Sequence, residues 1–256
     1  MFNFFKKKEK LNLSEDTKSD FDNRDNKTDF EESLIDANNG NIPAATHVGI
    51  SYHYGIDKGE EEHPAGIEPN FKLAVKYLTM AAERGYLKAQ VDLGLLYYDS
   101  NSDVFDKEEG FRWLSVAAKR GDSFSQFVLA AHYRDGIFLP KDDSKAFNWF
   151  LESASNGEIV SMNILGDIYR KKAFEISERE DFEEHKDEAW MNAELSFKWY
   201  KLAADNGDEE SMYYTGVNYF SGFGVVEDKE KSLIYINLAI ENGASYANDF
   251  KQEKLM

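Results

Sequence analysis

Five glycines at matched offsets constrain this chain more than any other feature of its sequence. Gly85, Gly121, Gly157, Gly207 and Gly243 lie 36, 36, 50 and 36 residues apart. Eight residues before each stands a ring: Tyr77, Trp113, Trp149, Trp199 and Tyr235. Four before each stands a small residue: Ala81, Ala117, Ser153, Ala203 and Ala239. On a 3.6-residue period, ring, small residue and glycine share one helical stripe. That stripe describes a helix which admits a close neighbour and stops at a left-handed cap.

A second set of marks follows the first. Nine residues after the first four glycines come Gly94, Ala130, Gly166 and Gly216. Three further on come Tyr97, Tyr133, Tyr169 and Tyr219, and Gly49 with Tyr52 supplies an earlier copy. Self-similarity at this period marks a helical solenoid, in which no unit buries its apolar face alone. The expected fold is an all-α, right-handed α-solenoid of antiparallel helix pairs, about twelve helices in all.

The units fall near 43–84, 87–120, 123–156, 159–206 and 209–242, with second helices starting near 70, 108, 143, 192 and 229. A cap helix over 29–38 fills the second-helix slot of a missing unit, its ring position taken by the polar Glu32. Thr28 and Glu31 have the spacing of a capping box for it. A closing helix over 246–254 ends the solenoid, which occupies 28–256. Residues 1–27 read as a polar, mobile tail. Two excesses over the period mark insertions, one around Gly59–Pro64 and one over Lys171–Met191. The second holds Glu178, Glu180, Asp181, Glu183 and Glu184, and reads as an extension of the first helix that folds back as an acidic loop. It is either a recognition element or a solvated charge run.

The ring, small-residue and glycine positions resemble those of the Sel-one-like repeats, relatives of the tetratricopeptide repeats. Lys145-Ala146 with Trp149-Phe150, Leu165-Gly166 with Tyr169, and Gly222-Phe223-Gly224-Val225 with Asp228 carry the likeness, over about residues 40–250. The resemblance implies a stack of helix pairs that binds other proteins, and it brings no catalytic residues. Some members of that family are secreted and stapled by disulfides, whereas this chain has no cysteine.

Positions −3, +1 and +4 from the first-helix glycine share a face that would line a concave groove. They supply Val91, Leu95, Tyr98, Phe127, Arg134, Arg170, Tyr213 and Phe220. Aromatics flanked by arginines are the composition of a binding hot spot, or else the rings pack against the next repeat. The tryptophans of the second helices read as packing between repeats.

Charge bounds the partner. Thirty Lys and Arg against 48 Asp and Glu give −18, which disfavours nucleic acid and favours a basic protein. No export signal or membrane span is read at the N-terminus, where Phe2, Phe4 and Phe5 precede a run of lysines, so the expected location is cytoplasmic. His47, His53, His63, His132 and His185 have no metal-ligand spacing, and no phosphate loop or nucleophile motif is present. The chain therefore reads as a non-enzymatic monomer without cofactor. Its expected role is to neutralise a basic toxin as an immunity-type protein, or to act as a scaffold or regulatory adaptor gripping a peptide in the groove.

Overall fold

The computed structural model describes residues 30–55 and 67–255. The tail, the 28–31 capping box and the insertion around Gly59–Pro64 lie wholly or partly outside them. Among the described residues the chain is all-α, an α-solenoid of antiparallel helix pairs with twelve α-helices. It divides into two compact units, 1–110 and 111–256.

The first unit holds α1 (Phe30–Asn38), α2 (Ile42–Tyr54), α3 (Phe71–Glu83), α4 (Leu87–Tyr98) and the start of α5 (Lys107–Ala118). The second holds the rest of α5, then α6 (Ser123–Asp135), α7 (Asp143–Ser155), α8 (Ile159–Ser177), α9 (Phe182–Asp205), α10 (Glu209–Ser221) and α11 (Lys229–Glu241). It closes with a short α12 (Ala247–Phe250) that runs into one π turn over Lys251–Leu255.

Each repeated residue has a mechanical task. At the end of α9, the Gly207 N–H donates to the Ala204 carbonyl at 3.0 Å and the Asp208 N–H to Ala203 at 3.1 Å. This is the paired bonding of a Schellman cap, and Gly207 takes the φ of 95° that it requires. The bond from the residue after the glycine back to the small residue recurs at Ala81, Ala117, Ser153 and Ala239. The other end of each pair is closed by the recurrent tyrosine. The backbone N–H groups of Asn70, Asp106, Asp142 and Asp228 donate to the carbonyls of Tyr52, Tyr97, Tyr133 and Tyr219 at 2.7–2.9 Å. The side chains of Asn70, Asp142 and Asp228 then accept from the N–H three residues on and cap the second helix.

Close approach holds each pair together. A methyl group on Gly166 would stand 2.7 Å from the Tyr200 ring, and one on Gly216 would stand 2.8 Å from Ile236. In the first unit Gly49 meets Leu78 in the same way. These partners sit one residue after the ring position, where Leu78, Leu114, Phe150, Tyr200 and Ile236 are all almost wholly buried. Trp113, Trp149 and Trp199, expected to pack between repeats, are half-buried. The inward-facing stripe runs through the neighbouring residue, and the tryptophans lie along its margin.

The second insertion also departs from expectation. It is almost entirely helical: α8 has 19 residues and α9 has 24, against 13 in α6, α7, α10 and α11. Only residues 178–181 join them, so α9 starts at Phe182 and not near 192. The acidic run folds because its charges alternate with cations at helical spacing. Lys171 pairs with Glu175 and Lys186 with Glu183, and the His185 ring lies 3.2 Å from Asp181 and 3.5 Å from Glu188. Ala173, Ile176 and Ala189 supply the buried seam between the two arms. Six extra residues lengthen α8 by about 9 Å.

Two stability predictions follow from this packing. Gly166→Ala drives a methyl group into a buried ring and lowers unfolding stability by about 1–3 kcal/mol in urea titrations, while Gly207→Ala acts through its positive φ instead. His132 is 1% exposed, and its Nδ1–H donates to the Ile137 carbonyl at 3.0 Å. Burial lowers its pKa, so the unfolded chain binds the proton more readily. The neutral ring's contribution is therefore complete above about pH 6.5 and is lost as pH falls below it. Urea titrations at pH about 7 and about 5 should show the advantage of wild type over His132→Gln shrinking at the lower pH.

Candidate partner-binding surfaces

The residues expected to line a groove separate into two groups. In the first unit, Val91, Leu95 and Tyr98 are half-buried. The Tyr98 ring lies against Gly110 of α5, and burial pushes its hydroxyl pKa well up, which marks it as a packing residue.

In the second unit the −3 positions face inward. Phe127 is 8% exposed, with Phe124 and Phe150 at 6.2 Å, so it belongs to the core and not to a groove. Asn163 is buried, and its amide donates to Asp208 Oδ1 and Ser211 Oγ of the next first helix, both at 2.9 Å. Tyr213 packs edge-on against Tyr246 and Phe250, and Phe220 packs edge-on against Phe250. The C-terminal helix therefore covers part of the face that a partner would use. Asn163 is thus a point at which one first helix, α8, touches the next, α10.

The +1 and +4 positions of α8 remain accessible and build a polar cluster. Arg170 donates to Asp167 Oδ1 at 2.7 Å, and its guanidinium lies 4.4 Å from the centre of the Tyr214 ring. Tyr214 in turn stacks on Tyr200 at 4.9 Å. The Tyr200 hydroxyl donates to the same Asp167 oxygen at 2.6 Å, and burial, followed by that bond, holds its pKa far above the ordinary range. Beside this pair stand Glu209 and Glu210 in the first turn of α10 and the capping Asp208. Partial desolvation, then Asp167, Asp208 and Glu209, raise the Glu210 pKa. Burial, then Glu210 and Glu209, push the Tyr246 hydroxyl up to about 12. This patch holds more carboxylates than cations beside a tyrosine that is 49% exposed, the chemistry that receives a lysine or arginine. Arg134 is committed elsewhere, bonded through its Nε and Nη2 to both carboxylate oxygens of Asp135.

The second accessible surface is the α8–α9 hairpin. Glu178, Glu180, Glu183 and Glu184 are exposed there, and Asp181 is half-buried and held by Arg179 at 2.8 Å. That bond holds the Asp181 pKa below the usual carboxylate range. Glu210, Tyr214 and Tyr246 escaped the sequence reading because they stand off the −3, +1, +4 rows. Phe174 and Trp190, both exposed, escaped it because the insertion has no register to read. Among the described residues, no three His, Asp or Glu side chains are placed to hold a metal ion, and no helix is long and apolar enough to cross a membrane.

Paired helices with a glycine at the crossing and a Schellman glycine at the end define a helical-repeat solenoid. The Sel1 repeat model matches residues 42–86, 87–122, 123–158, 190–208 and 209–243, and the chain belongs to that family. Sel1 repeats mediate protein–protein interaction. No curated protein sequence matches the chain.

Among solved structures, the chain is similar to c5321, a protective antigen of uropathogenic Escherichia coli strains with an SLR fold. The TM-score is 0.67 at 26% identity, over 85% of this chain and 42% of that one. It is similar to a Sel1 repeat protein from Oxalobacter formigenes with TM-score 0.69 at 21% identity, over 88% of this chain and 58% of that one. The immunity protein Pa5087 from Pseudomonas aeruginosa overlaps less, with TM-score 0.45 at 18% identity, over 80% of this chain and 67% of that one. The chain thus spans about two fifths and three fifths of the first two structures.

One substitution pair separates core from surface here. Phe127→Ala opens a cavity and costs about 3–5 kcal/mol in thermal or urea unfolding. Arg170→Ala removes a half-exposed pair and costs under about 1 kcal/mol.

Proposed function

We propose that this Sel1 repeat solenoid binds a basic protein in the cytoplasm and neutralises it, in the manner of an immunity protein facing a toxin. The observation that carries the reading is the surplus of carboxylates on the two accessible surfaces of the second unit. Exposed Glu178, Glu180, Glu183 and Glu184 crown the hairpin, and Glu209 and Glu210 stand beside Tyr246. A net charge of −18 reinforces both. Opposed charge speeds encounter with a cationic partner and makes binding salt-sensitive, since the Debye length shrinks from about 10 Å at 0.1 M to about 3 Å at 1 M.

A second reading is a scaffold or regulatory adaptor that holds a peptide segment. It is favoured by the Arg170–Tyr214–Tyr200 cluster with half-covered Tyr213 beside it, a rigid aromatic and charged platform on one face of α8 and α10. Tyr214→Ala would weaken peptide capture, whereas Glu180→Lys with Glu183→Lys and Glu184→Lys would weaken capture of a basic globular partner. The test is co-purification from the cells of origin at about 0.05 M and 0.5 M salt. A cationic protein retained at low salt and released at high salt is the expected result. Recovery of only neutral or acidic proteins, unchanged by salt, would remove the basic-partner reading.

A further inference from the structure

The lengthened hairpin carries apolar side chains that its own packing does not use. On α8, Phe174 is 51% exposed, and on α9 Trp190 and Met191 are each 54% exposed. Trp190 is the exposed member of the four tryptophans, the other three being half-buried. The loop between α10 and α11 reaches both arms of the hairpin. Phe223 stacks on Phe174 with ring centres 5.2 Å apart and planes 16° apart, and Val226 in the same loop is 83% exposed.

The loop is pinned in place. Gly224 lies so close to the Ala193 carbonyl that no side chain fits between them, and it holds a φ of 68°. The loop thus crosses α9 within one turn of Trp190. An aromatic platform fixed by backbone contact needs no ordering when something docks on it. Asp187 and Glu188 stand one turn before the Trp190–Met191 pair, and Glu194 stands one turn after it. Glu188 lies 3.5 Å from the His185 ring and Glu194 pairs with Lys198 at 2.7 Å, exposed contacts that an incoming cation would compete for. The Sel1 repeat model leaves residues 159–189 unmatched, so Phe174 lies in the chain's own insertion, while Trp190, Met191, Phe223 and Val226 lie in matched repeat segments beside it.

Exposed rings beside carboxylates exclude several occupants. A second copy would bring a further net charge of −18 against the first, and nucleic acid or an anionic membrane meets the same repulsion. We propose that the patch of Phe174, Trp190, Met191, Phe223 and Val226 docks a cationic protein segment whose own apolar side chains cover the rings while its lysines or arginines meet Asp187, Glu188 and Glu194. The proposal rests on the basic-partner reading and deepens it by naming the contact surface. Burial of Trp190 provides the affinity, and the acidic flanks select the sign of the partner's charge.

Two probes test it on the full chain: a synthetic amphipathic peptide of lysine and leucine, and poly-lysine of equal charge. Both are titrated at low salt while tryptophan emission and acrylamide quenching are followed. The lysine–leucine peptide should shift the emission to the blue and protect one tryptophan from quenching, whereas poly-lysine should bind without protecting it. Trp190→Ser combined with Met191→Ser and Val226→Ser should weaken the lysine–leucine peptide by about tenfold or more and leave poly-lysine within about twofold. All three residues are exposed, so unfolding curves should match wild type. Leu202→Ser, an exposed apolar change on α9 outside the patch, should leave both affinities unchanged. Equal protection by poly-lysine, or equal peptide affinity in the triple variant, would overturn this surface while leaving the basic-partner reading standing. Binding of neither probe would overturn both. A protein-concentration-dependent dimer that shields Trp190 would assign the patch to a second copy and overturn the proposal.

Discussion

The fold depends on how closely two helices can lie at one point in each pair. Where Gly166 faces Tyr200 and Gly216 faces Ile236, the absent side chain lets a large residue of the second helix press on the backbone of the first. The Ser196 hydroxyl reinforces the same crossing by donating to the Gly166 carbonyl at 2.8 Å, a buried bond with no water to compete. Everything else in the repeat serves that contact. The Schellman glycine turns the chain after the second helix, and the tyrosine carbonyl anchors the cap that starts it. Polar links such as Ser161 to Ser153, at 2.7 Å, then tie one repeat to the next.

A crossing fixed at one point leaves the far ends of the helices unconstrained. This is why the chain tolerates a long addition in its fourth repeat. Both helices of the α8–α9 pair run past the usual boundary as a zipped hairpin, and the register resumes at Trp199, Ala203 and Gly207 without loss. Lengthening two antiparallel helices together adds buried seam as it adds length, so the extension supports itself. The same freedom places exposed rings and carboxylates on an element that the repeat packing does not need.

Much of the architecture was legible in the sequence, because spacing reports on local geometry. Glycine before a turn, a small residue four earlier and an aspartate at the next helix start each have a backbone reason that holds in any context. The surfaces were less legible. Phe127 and Arg170 look alike to a face-counting argument, yet one is core and the other lies on an accessible cluster. A helix has two flanks that meet neighbours, and spacing alone does not say which flank meets the next repeat. Likewise the acidic run from Glu178 to Glu188 reads as loop by composition, but its cations at helical spacing and its alanine seam make it helix.

The sequence alone determined the period, the paired helices, the capping glycines and the acidic balance, since each follows from local backbone preference or from counting charges. Tertiary structure decided the rest. Only the packing of α8, α9 and the α10–α11 loop shows that Phe223 stacks on Phe174, 49 residues away, while Gly224 presses on α9 at Ala193. Only the C-terminal helix lying against Tyr213 and Phe220 reveals how much of the expected groove is already filled. Those outcomes depend on contacts between residues distant in the chain, which no local spacing encodes.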